Sequence, residues 1–211
     1  MATIEWGKTG DRFYETGLSH GVLYPRQTSG VPWNGLISVT ETVSGGESDS
    51  FYFDGLKYLD FIAAEDFSAT IEAYSTPPEF DECDGSKVLS PGLYATQQPR
   101  YPFGFSYRTK IGNDVSGSDH GYKLHLVYNA MASPASRIYQ SDSDTPSPVI
   151  RQWLINTAPP SASTYKPTAH FVVDSTKVNA QKLTLLENAL YGSYAADPTL
   201  PSQADVIDIL S

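Results

Sequence analysis

The stretch from Gly112 to Gly121, with the sequence GNDVSGSDHG, contains the residue types best able to do chemistry. It holds Asp114, Asp119 and His120, and His125 follows shortly afterwards. Carboxylates and imidazoles close together could ligate a metal ion or exchange protons. The same composition suits the polar tip of a β-hairpin, because Asp, Asn and Gly are the residues that tight turns favour.

The spacing within this stretch favours the hairpin. A calcium loop of the EF-hand type needs an Asp-x-Asp-x-Asp start and a closing glutamate, and both are absent. On a regular strand His120 and His125 would lie on opposite faces, and His20 and His170 are isolated in the sequence. We therefore predict no metal site and no cofactor. The prediction is a long hairpin with strands over residues 103–111 and 122–130.

Other candidates for catalysis are equally weak. Cys83 is the single cysteine, and the acidic residues flanking it in DECDG should raise its pKa and make it a poor nucleophile. Glu65, Asp66 and Glu72 could only serve as a glycosidase pair if they flanked one cleft, which a sequence cannot show. Nucleophile-elbow, zinc-protease, phosphate-loop and dinucleotide-binding motifs are all missing from the sequence. The prediction is that the protein is not an enzyme.

The negative net charge of the chain argues against binding partners that are themselves negatively charged. The chain has 211 residues and a formal charge of −10, from 14 basic and 24 acidic side chains. Nucleic-acid and anionic-membrane binding both rely on Lys and Arg, so neither is expected. The N-terminal residues lack the basic and apolar regions of a secretory signal, and we expect the protein to be made and to remain soluble in a cytoplasm.

Most of the chain has the period of β-strands. The segments WNGLISVTETVS and EDFSATIEAYS alternate in polarity, and Asp54-Gly55 is a strong signal for a tight hairpin. Another hairpin is predicted around Gly17 to Gly21, and VIRQWLINTAP and TAHFVVDST are predicted strands. Residues 76–102 are rich in Pro and Gly and are predicted to form a long irregular loop.

The period changes to that of a helix at residues 179–191. Leu183, Leu186 and Leu190 form an apolar stripe that Leu185 should widen, while Asn179 and Gly192 are suitable caps. Beyond it lies a proline-broken tail in which Ser202 could cap a short helix. We predict a mainly β protein, a β-sandwich or barrel with one flanking helix, long loops and a C-terminal tail. Residues 1–192 should form one domain and residues 193–211 the tail.

Aromatic residues alternate in two segments, FYFDGLKYLDF and YPFGFSY. Such alternation is typical of a packed core with cross-strand aromatic pairs. It also suits a Tyr-rich protein interface. Both interpretations remain open from the sequence, because one domain of this size has limited room inside for its aromatic side chains.

Several segments together carry a family resemblance: WGKTGDRFYETGLSHGVLYP, GVPWNGLISVTE, FGFSYRTKIGNDVSGSDHGYKLHLVYNAMASPAS, KPTAHFVVDSTKV and LENALYG. In their wording and order the chain resembles the major tail proteins, or tail tube proteins, of long-tailed non-contractile phages of actinobacteria. The resemblance runs from about Trp6 to Leu210. It rests on segment order and not on a catalytic signature.

The resemblance implies a structural virion protein with a tail tube fold. Six copies would close into a ring, and rings would stack into a tube whose acidic channel lets DNA pass during ejection without binding it specifically. The expected partners are further copies of the chain, a tape measure protein in the channel, and tail terminator and distal tail proteins at the ends. The expected location is the phage tail, assembled in the host cytoplasm, with no membrane contact.

Two sets of residues are predicted to serve assembly. The hairpin tip, expected to touch an adjacent subunit or ring, comprises Asn113, Asp114, Val115, Ser116, Gly117, Ser118, Asp119 and His120. Flexible assembly loops are expected at Ser44, Gly45, Gly46, Glu47, Pro77, Pro78, Glu79 and Phe80. Two alternatives remain: a distal tail or tail-completion protein of the same fold, and a carbohydrate-binding β-sandwich that would use exposed Trp33 and Trp153.

Overall fold

A computed structural model of the protein describes residues 3–26, 29–134, 137–141, 147–162 and 165–211. Its strands are β1 (Phe13–Pro25), β2 (Val31–Pro32), β3 (Leu36–Ser44), β4 (Ser48–Phe53), β5 (Leu56–Ile62), β6 (Asp66–Ala73), β7 (Lys87–Ser90), β8 (Leu93–Ala95), β9 (Phe103–Asn113), β10 (Gly117–Pro134), β11 (Arg151–Thr157) and β12 (His170–Asp174). Its helices are α1 (Asp81–Asp84), α2 (Ala180–Tyr191) and α3 (Gln203–Leu210), and Pro78–Phe80 form a 3-10 turn. The prediction of a mainly β fold is confirmed.

The main sheet is antiparallel and has the strand order β2-β1-β9-β10-β11-β6-β3. Its central strand, β10, is long enough to pair with β12 through Lys123 to Val127 and then with β11 from Ala130 onward. A register shift between Val127 and Ala130, with Asn129 at φ 48°, marks a bulge between the two halves. Bulges bend a strand, and this one reverses which residues face inward.

Two hydrophobic clusters lie on opposite faces of the sheet. One face carries Trp33, Phe80, Phe105 and Trp153 among its buried side chains. The other face, which includes Leu124 and Leu126, is covered by α2 and α3. Val127, which precedes the bulge, and Ala130, which follows it, both belong to the first cluster. The bulge therefore keeps this core continuous although the alternation of inward-facing residues changes.

The helices α2 and α3 begin where the sequence predicts. Asn179 caps α2 by accepting a hydrogen bond from the Gln181 N–H, and Leu183, Leu186 and Leu190 are buried as the stripe predicts. Leu185 is 58% exposed, so it does not widen the stripe. Ser202 and Asp205 form a reciprocal capping box at the start of α3. Gln203 and Val206 of that helix are buried, which shows that the tail packs on its own chain.

Two strand predictions require correction. Residues 13–25 form one strand along β9 instead of a hairpin around Gly17 and Gly21, and the register shifts occur near Gly17 (φ 67°) and His20 (φ 53°). Gly17 and His20 therefore lie at bulges and not in a turn, because the long strand β9 pairs with the whole segment. Residues 76–102, predicted to be irregular, contain the 3-10 turn, α1 and the small β7–β8 hairpin.

Two tyrosines are buried on the helix-covered face, and their hydroxyl groups differ in hydrogen bonding. The Tyr24 hydroxyl donates to the Leu190 carbonyl at 2.8 Å and lies 3.2 Å from the Ser106 hydroxyl. The Tyr128 hydroxyl has no hydrogen-bond partner among the described residues. Tyr24→Phe should therefore lower the free energy of unfolding by about 1–2 kcal/mol, and Tyr128→Phe by less than about 0.5 kcal/mol. Urea denaturation of both variants measures the difference, and equal losses would contradict the assignment.

Candidate functional site

The predicted contact residues at the β9–β10 tip form a tight turn. The Asn113 side chain is buried and its Oδ1 accepts the backbone N–H groups of Val115 at 3.1 Å and Ser116 at 2.6 Å. Gly117 follows with φ 59°, as expected for a short turn closed by a bulge. The turn is therefore held by its own hydrogen bonds, and β10 begins within the stretch that was predicted to be loop.

Part of that tip is engaged by the N-terminal segment of the same chain. Asp114 Oδ1 accepts the Gly10 N–H at 3.0 Å, and the His120 ring lies 5.2 Å from the Phe13 ring. Val115 is 65% exposed, and Ser116, Gly117, Ser118 and Asp119 are exposed as well. The prediction that this tip touches a neighbour needs correction at Asn113, whose buried side chain is occupied within its own turn.

The second predicted set divides into two environments. Pro78 and Glu79 are exposed, but Phe80 is 1% exposed and packs between Trp33 and Trp153 at ring distances of 4.7 and 5.1 Å. Phe80 is therefore a core residue and not part of a flexible assembly loop. Cys83 of α1 is also fully buried, and burial, reinforced by Glu82, raises its pKa to about 12.

Ser44, Gly45, Gly46 and Glu47 form one side of the base of a projecting hairpin. Gly45 and Gly46 have φ values of 87° and 74°, a backbone that side chains other than glycine rarely adopt. A Cβ on Gly45 would come within 2.1 Å of the Ala64 carbonyl oxygen. These glycines fix where the chain leaves β3, so the segment is a geometrically constrained base.

The projecting hairpin itself, β4–β5, turns at Asp54-Gly55 as predicted, with both residues at positive φ. Within the described chain its two strands form a sheet of their own. Eight of its large hydrophobic side chains are exposed: Phe51, Tyr52, Phe53, Leu56, Tyr58, Leu59, Phe61 and Ile62. Of the two aromatic segments noted in the sequence, this one is therefore exposed, whereas Phe103, Phe105 and Tyr107 of the other are buried in the core.

A polar cluster around the buried His125 was missed by sequence reasoning. Glu41 on β3, His125 on β10 and His170 on β12 bring one ligand atom each within 4.8 Å of one another. His125 Nδ1 lies 3.1 Å from Glu41 Oε1 and 3.2 Å from His170 Nε2. The two histidines are apart in sequence but lie on the same face of adjacent strands, because Val127, two residues after His125, pairs with His170.

Neighbouring side chains fix the orientation of this cluster. The Tyr107 hydroxyl donates to Glu41 Oε1 at 2.5 Å, and the Tyr107 ring stacks on His125 at 4.5 Å. The other face of the cluster is closed by Phe67, whose ring stacks on His170 at 4.3 Å. One signal in the sequence could have indicated this cluster: His125 lies between Leu124 and Leu126 on a strand of the sheet interior. Its side chain points to the face opposite those leucines, and that face must be covered as well.

Charges in the cluster follow from these contacts. The hydrogen bond from His125, helped by that from Tyr107, lowers the pKa of Glu41 to about 2 despite burial. Burial lowers the pKa of His170 to about 4. Burial alone would raise the pKa of Glu15, but hydrogen bonds from Lys123 and Thr109 outweigh it and lower that pKa. Near neutral pH, Glu41 and the neighbouring Glu15 are therefore carboxylates, and His170 is uncharged.

The remaining candidates do not converge on one site. Glu72 accepts hydrogen bonds from Ser38 and Gln152, while Glu65 lies beside Gly46 at the base of the hairpin. Trp33 and Trp153 are 3% and 1% exposed, which removes the support for a carbohydrate surface built on them. None of the described helices has the length and apolarity to cross a membrane.

Comparisons with known proteins returned structures only. No protein-family model and no curated protein matches the chain. A chain of the PVC sheath–tube complex of an extracellular contractile injection system is 11% identical with a TM-score of 0.41, over 81% of this chain and 94% of that one. The PVC sheath/tube terminator is similar at 11% identity and a TM-score of 0.40, over 81% and 99%. A chain of the anti-feeding prophage baseplate is similar at 10% identity and a TM-score of 0.38, over 81% and 97%. At these values the function has to be argued from the chain's own residues.

Proposed function

We propose that this protein is a structural subunit of a phage tail, and that copies of it assemble into six-membered rings that stack into a tube. The observation that carries the proposal is the β4–β5 hairpin, with eight large hydrophobic side chains exposed on two strands. Isolated two-stranded hairpins are at best marginally stable in water, and monomers rarely expose contiguous apolar patches of this kind. A hairpin of this composition needs a surface to pack against.

A second copy of the chain is the occupant that the proposal assigns to that hairpin. Projecting from the main sheet, the hairpin can reach beyond its own subunit while the sheet remains intact. The main sheet also ends in β2 and β3, whose outer edges can be covered by neighbouring copies when a ring closes. Repeated use of the same contacts by identical subunits is what a ring or tube requires.

The charge of the chain suits a channel for DNA. At −10 per copy, a ring of six copies would repel the phosphate backbone and let DNA slide without specific binding. The exposed part of the β9–β10 tip, from Asp114 to Asp119, is proposed to contact an adjacent subunit or ring. A tape measure protein in the channel and terminator and distal tail proteins at the ends complete the proposed assembly, which would form in the host cytoplasm and reside in the virion.

Negative-stain electron microscopy of the purified, concentrated protein tests this function. We expect rings or tubes of regular diameter, favoured by high salt because repulsion between acidic subunits is then screened. The proposal would be contradicted if the protein stays monomeric at high concentration and high salt and forms no tubes when it is co-expressed with other tail components. Single rings that never stack would favour the distal tail or tail-completion alternative, which needs about one ring per particle.

A further inference from the structure

We infer that Glu41, His125 and His170 form a binding site for a divalent transition-metal ion of the zinc class, a site that goes beyond the proposed assembly function. Two imidazole nitrogens and one carboxylate are a ligand set that Zn²⁺ accepts, with a fourth position left for water. The three residues come from β3, β10 and β12, so the site exists only when these strands are brought together by the fold.

The spacing of the donor atoms fits such an ion. Metal–ligand bonds of about 2.0–2.1 Å at tetrahedral angles place ligand atoms roughly 3.3–3.4 Å apart. His125 Nδ1 lies 3.1 Å from Glu41 Oε1 and 3.2 Å from His170 Nε2. The ligand atoms of the third pair, Glu41 and His170, lie within 4.8 Å of each other, and the rings of His125 and His170 are inclined by only 15°. Binding an ion therefore requires the Glu41 carboxylate to move closer and the His170 ring to rotate.

The outer contacts are those that hold metal ligands in place. The second ring nitrogen of His125, Nε2, lies 3.1 Å from the Thr109 hydroxyl, which in turn donates to Glu15 Oε1 at 2.5 Å. A histidine that binds metal through one nitrogen usually hydrogen-bonds through the other to a carboxylate, carbonyl or water, which fixes the ring. Here Thr109 relays that contact to Glu15, and Lys123 forms an ion pair with the same carboxylate.

The chemical types of the three donor groups also suit a cation, since they are two imidazoles and one carboxylate. A neutral imidazole offers the lone pair that a metal needs, and an ionised carboxylate supplies compensating charge. The Glu41 side chain is 36% exposed, which leaves a path for the ion and room for a water ligand.

A metal at this site would tie β3 to β10 and β12. Without metal, His125 Nδ1 lies 3.1 Å from Glu41 Oε1, and His125 Nε2 lies 3.1 Å from the Thr109 hydroxyl. The two states differ in the role of His170, which is a metal ligand in the first and lies at hydrogen-bond distance from His125 in the second. His170 is therefore the residue on which to base the test.

The experiment uses tag-free, chelator-treated full-length protein titrated with Zn²⁺ by isothermal calorimetry, with thermal unfolding in parallel. We expect one Zn²⁺ per chain, a melting temperature that rises with Zn²⁺ concentration, and no binding of Mg²⁺, which prefers oxygen ligands. His170→Gln and Glu41→Gln should each weaken Zn²⁺ binding more than tenfold. The matched control is His120→Gln, since this histidine packs on Phe13 outside the cluster.

Three results would overturn the inference: no stoichiometric Zn²⁺ binding, equal binding by His170→Gln and His120→Gln, or Zn²⁺ bound with fewer than two imidazoles. X-ray absorption at the zinc edge of the wild-type protein counts the imidazole ligands directly. That measurement decides the matter even if the cluster variants fail to fold. Two imidazoles, together with loss of binding in whichever cluster variant folds, support the site.

Discussion

A variant that lacks the β4–β5 hairpin is expected to remain folded as a monomer and to form no rings or tubes. In this variant residues 45–65 are replaced by the two residues Asn-Gly, which connect Ser44 to Asp66. Light scattering coupled to size-exclusion chromatography gives its mass, negative-stain microscopy shows any assembly, and circular dichroism checks the fold. This is the largest effect on function that the structure predicts, because the deletion removes the whole exposed apolar surface of the hairpin at once.

The sheet should tolerate that deletion. Ser44 and Asp66 are paired residues of β3 and β6, so a two-residue Asn-Gly loop can connect them as an ordinary hairpin. No residue between 45 and 65 is buried, and the core residues of β6 begin at Ala69. The β4–β5 hairpin is in effect an insertion within the β3–β6 hairpin, and the unfolding transition should change little when it is removed.

Point variants distinguish the apolar surface from the length of the hairpin. Phe53→Thr combined with Phe61→Thr removes two rings that are 73% and 67% exposed and replaces them with β-branched residues, which also favour strands. Assembly should fall sharply in this double variant. Leu185→Gln on α2, which removes a side chain of similar exposure elsewhere on the surface, is the control and should assemble normally. Normal tubes from the deletion variant would show that the hairpin is not an assembly element.

Features set by local sequence could be predicted, and their structural outcome explains why. Asp54-Gly55 forms the expected turn because both residues adopt the positive φ that this hairpin type demands. Asn179 and Ser202 cap their helices because each needs only a neighbouring backbone N–H or side chain. These interactions span a few residues, so their energetics are contained in the local sequence.

Features set by distant partners could not be predicted. Gly17 and Gly21 signal departures from a regular strand, but only the presence of β9 alongside decides that they form bulges and not a turn. Phe80 lies in a segment rich in proline, and its burial depends on Trp33 and Trp153, which approach from other parts of the chain. His125 and His170 likewise meet through the pairing of β10 with β12.

The exposure of aromatic side chains also depends on the tertiary fold. The segments around Phe53 and Phe105 have the same alternation of aromatic residues, yet one projects from the sheet and the other lies in its core. Alternation reports that a residue is on a strand with a favoured face, and it does not say what covers that face. The core interpretation is confirmed for the segment around Phe105, and the exposed segment around Phe53 is the one to which the proposed interface is assigned.

Trp153→Ala is expected to cause the largest loss of stability of any variant considered, about 3–5 kcal/mol in the free energy of unfolding. Trp153 is 1% exposed and packs against Phe80 and Trp33 with ring distances of 5.1 and 6.1 Å. Its indole N–H also donates to Asp84 Oδ1 at 2.9 Å, so truncation removes a partner of a largely buried carboxylate as well as creating a cavity. For a protein of this size the melting temperature should fall by roughly 6–20 °C.

Leu154→Ala is the matched control, because this neighbouring side chain on β11 is 45% exposed and should cost less than about 1 kcal/mol. Trp153→Phe separates the two causes, since it keeps an aromatic ring in the core and loses only the hydrogen bond to Asp84 and part of the packing. Its stability should lie between those of the wild type and Trp153→Ala. Equal melting temperatures for Trp153→Ala and Leu154→Ala would mean that the aromatic cluster of Trp33, Phe80 and Trp153 contributes little to the stability of the fold. In that case the helix-covered face, with α2 and α3 docked on Leu124 and Leu126, would have to provide most of the stability.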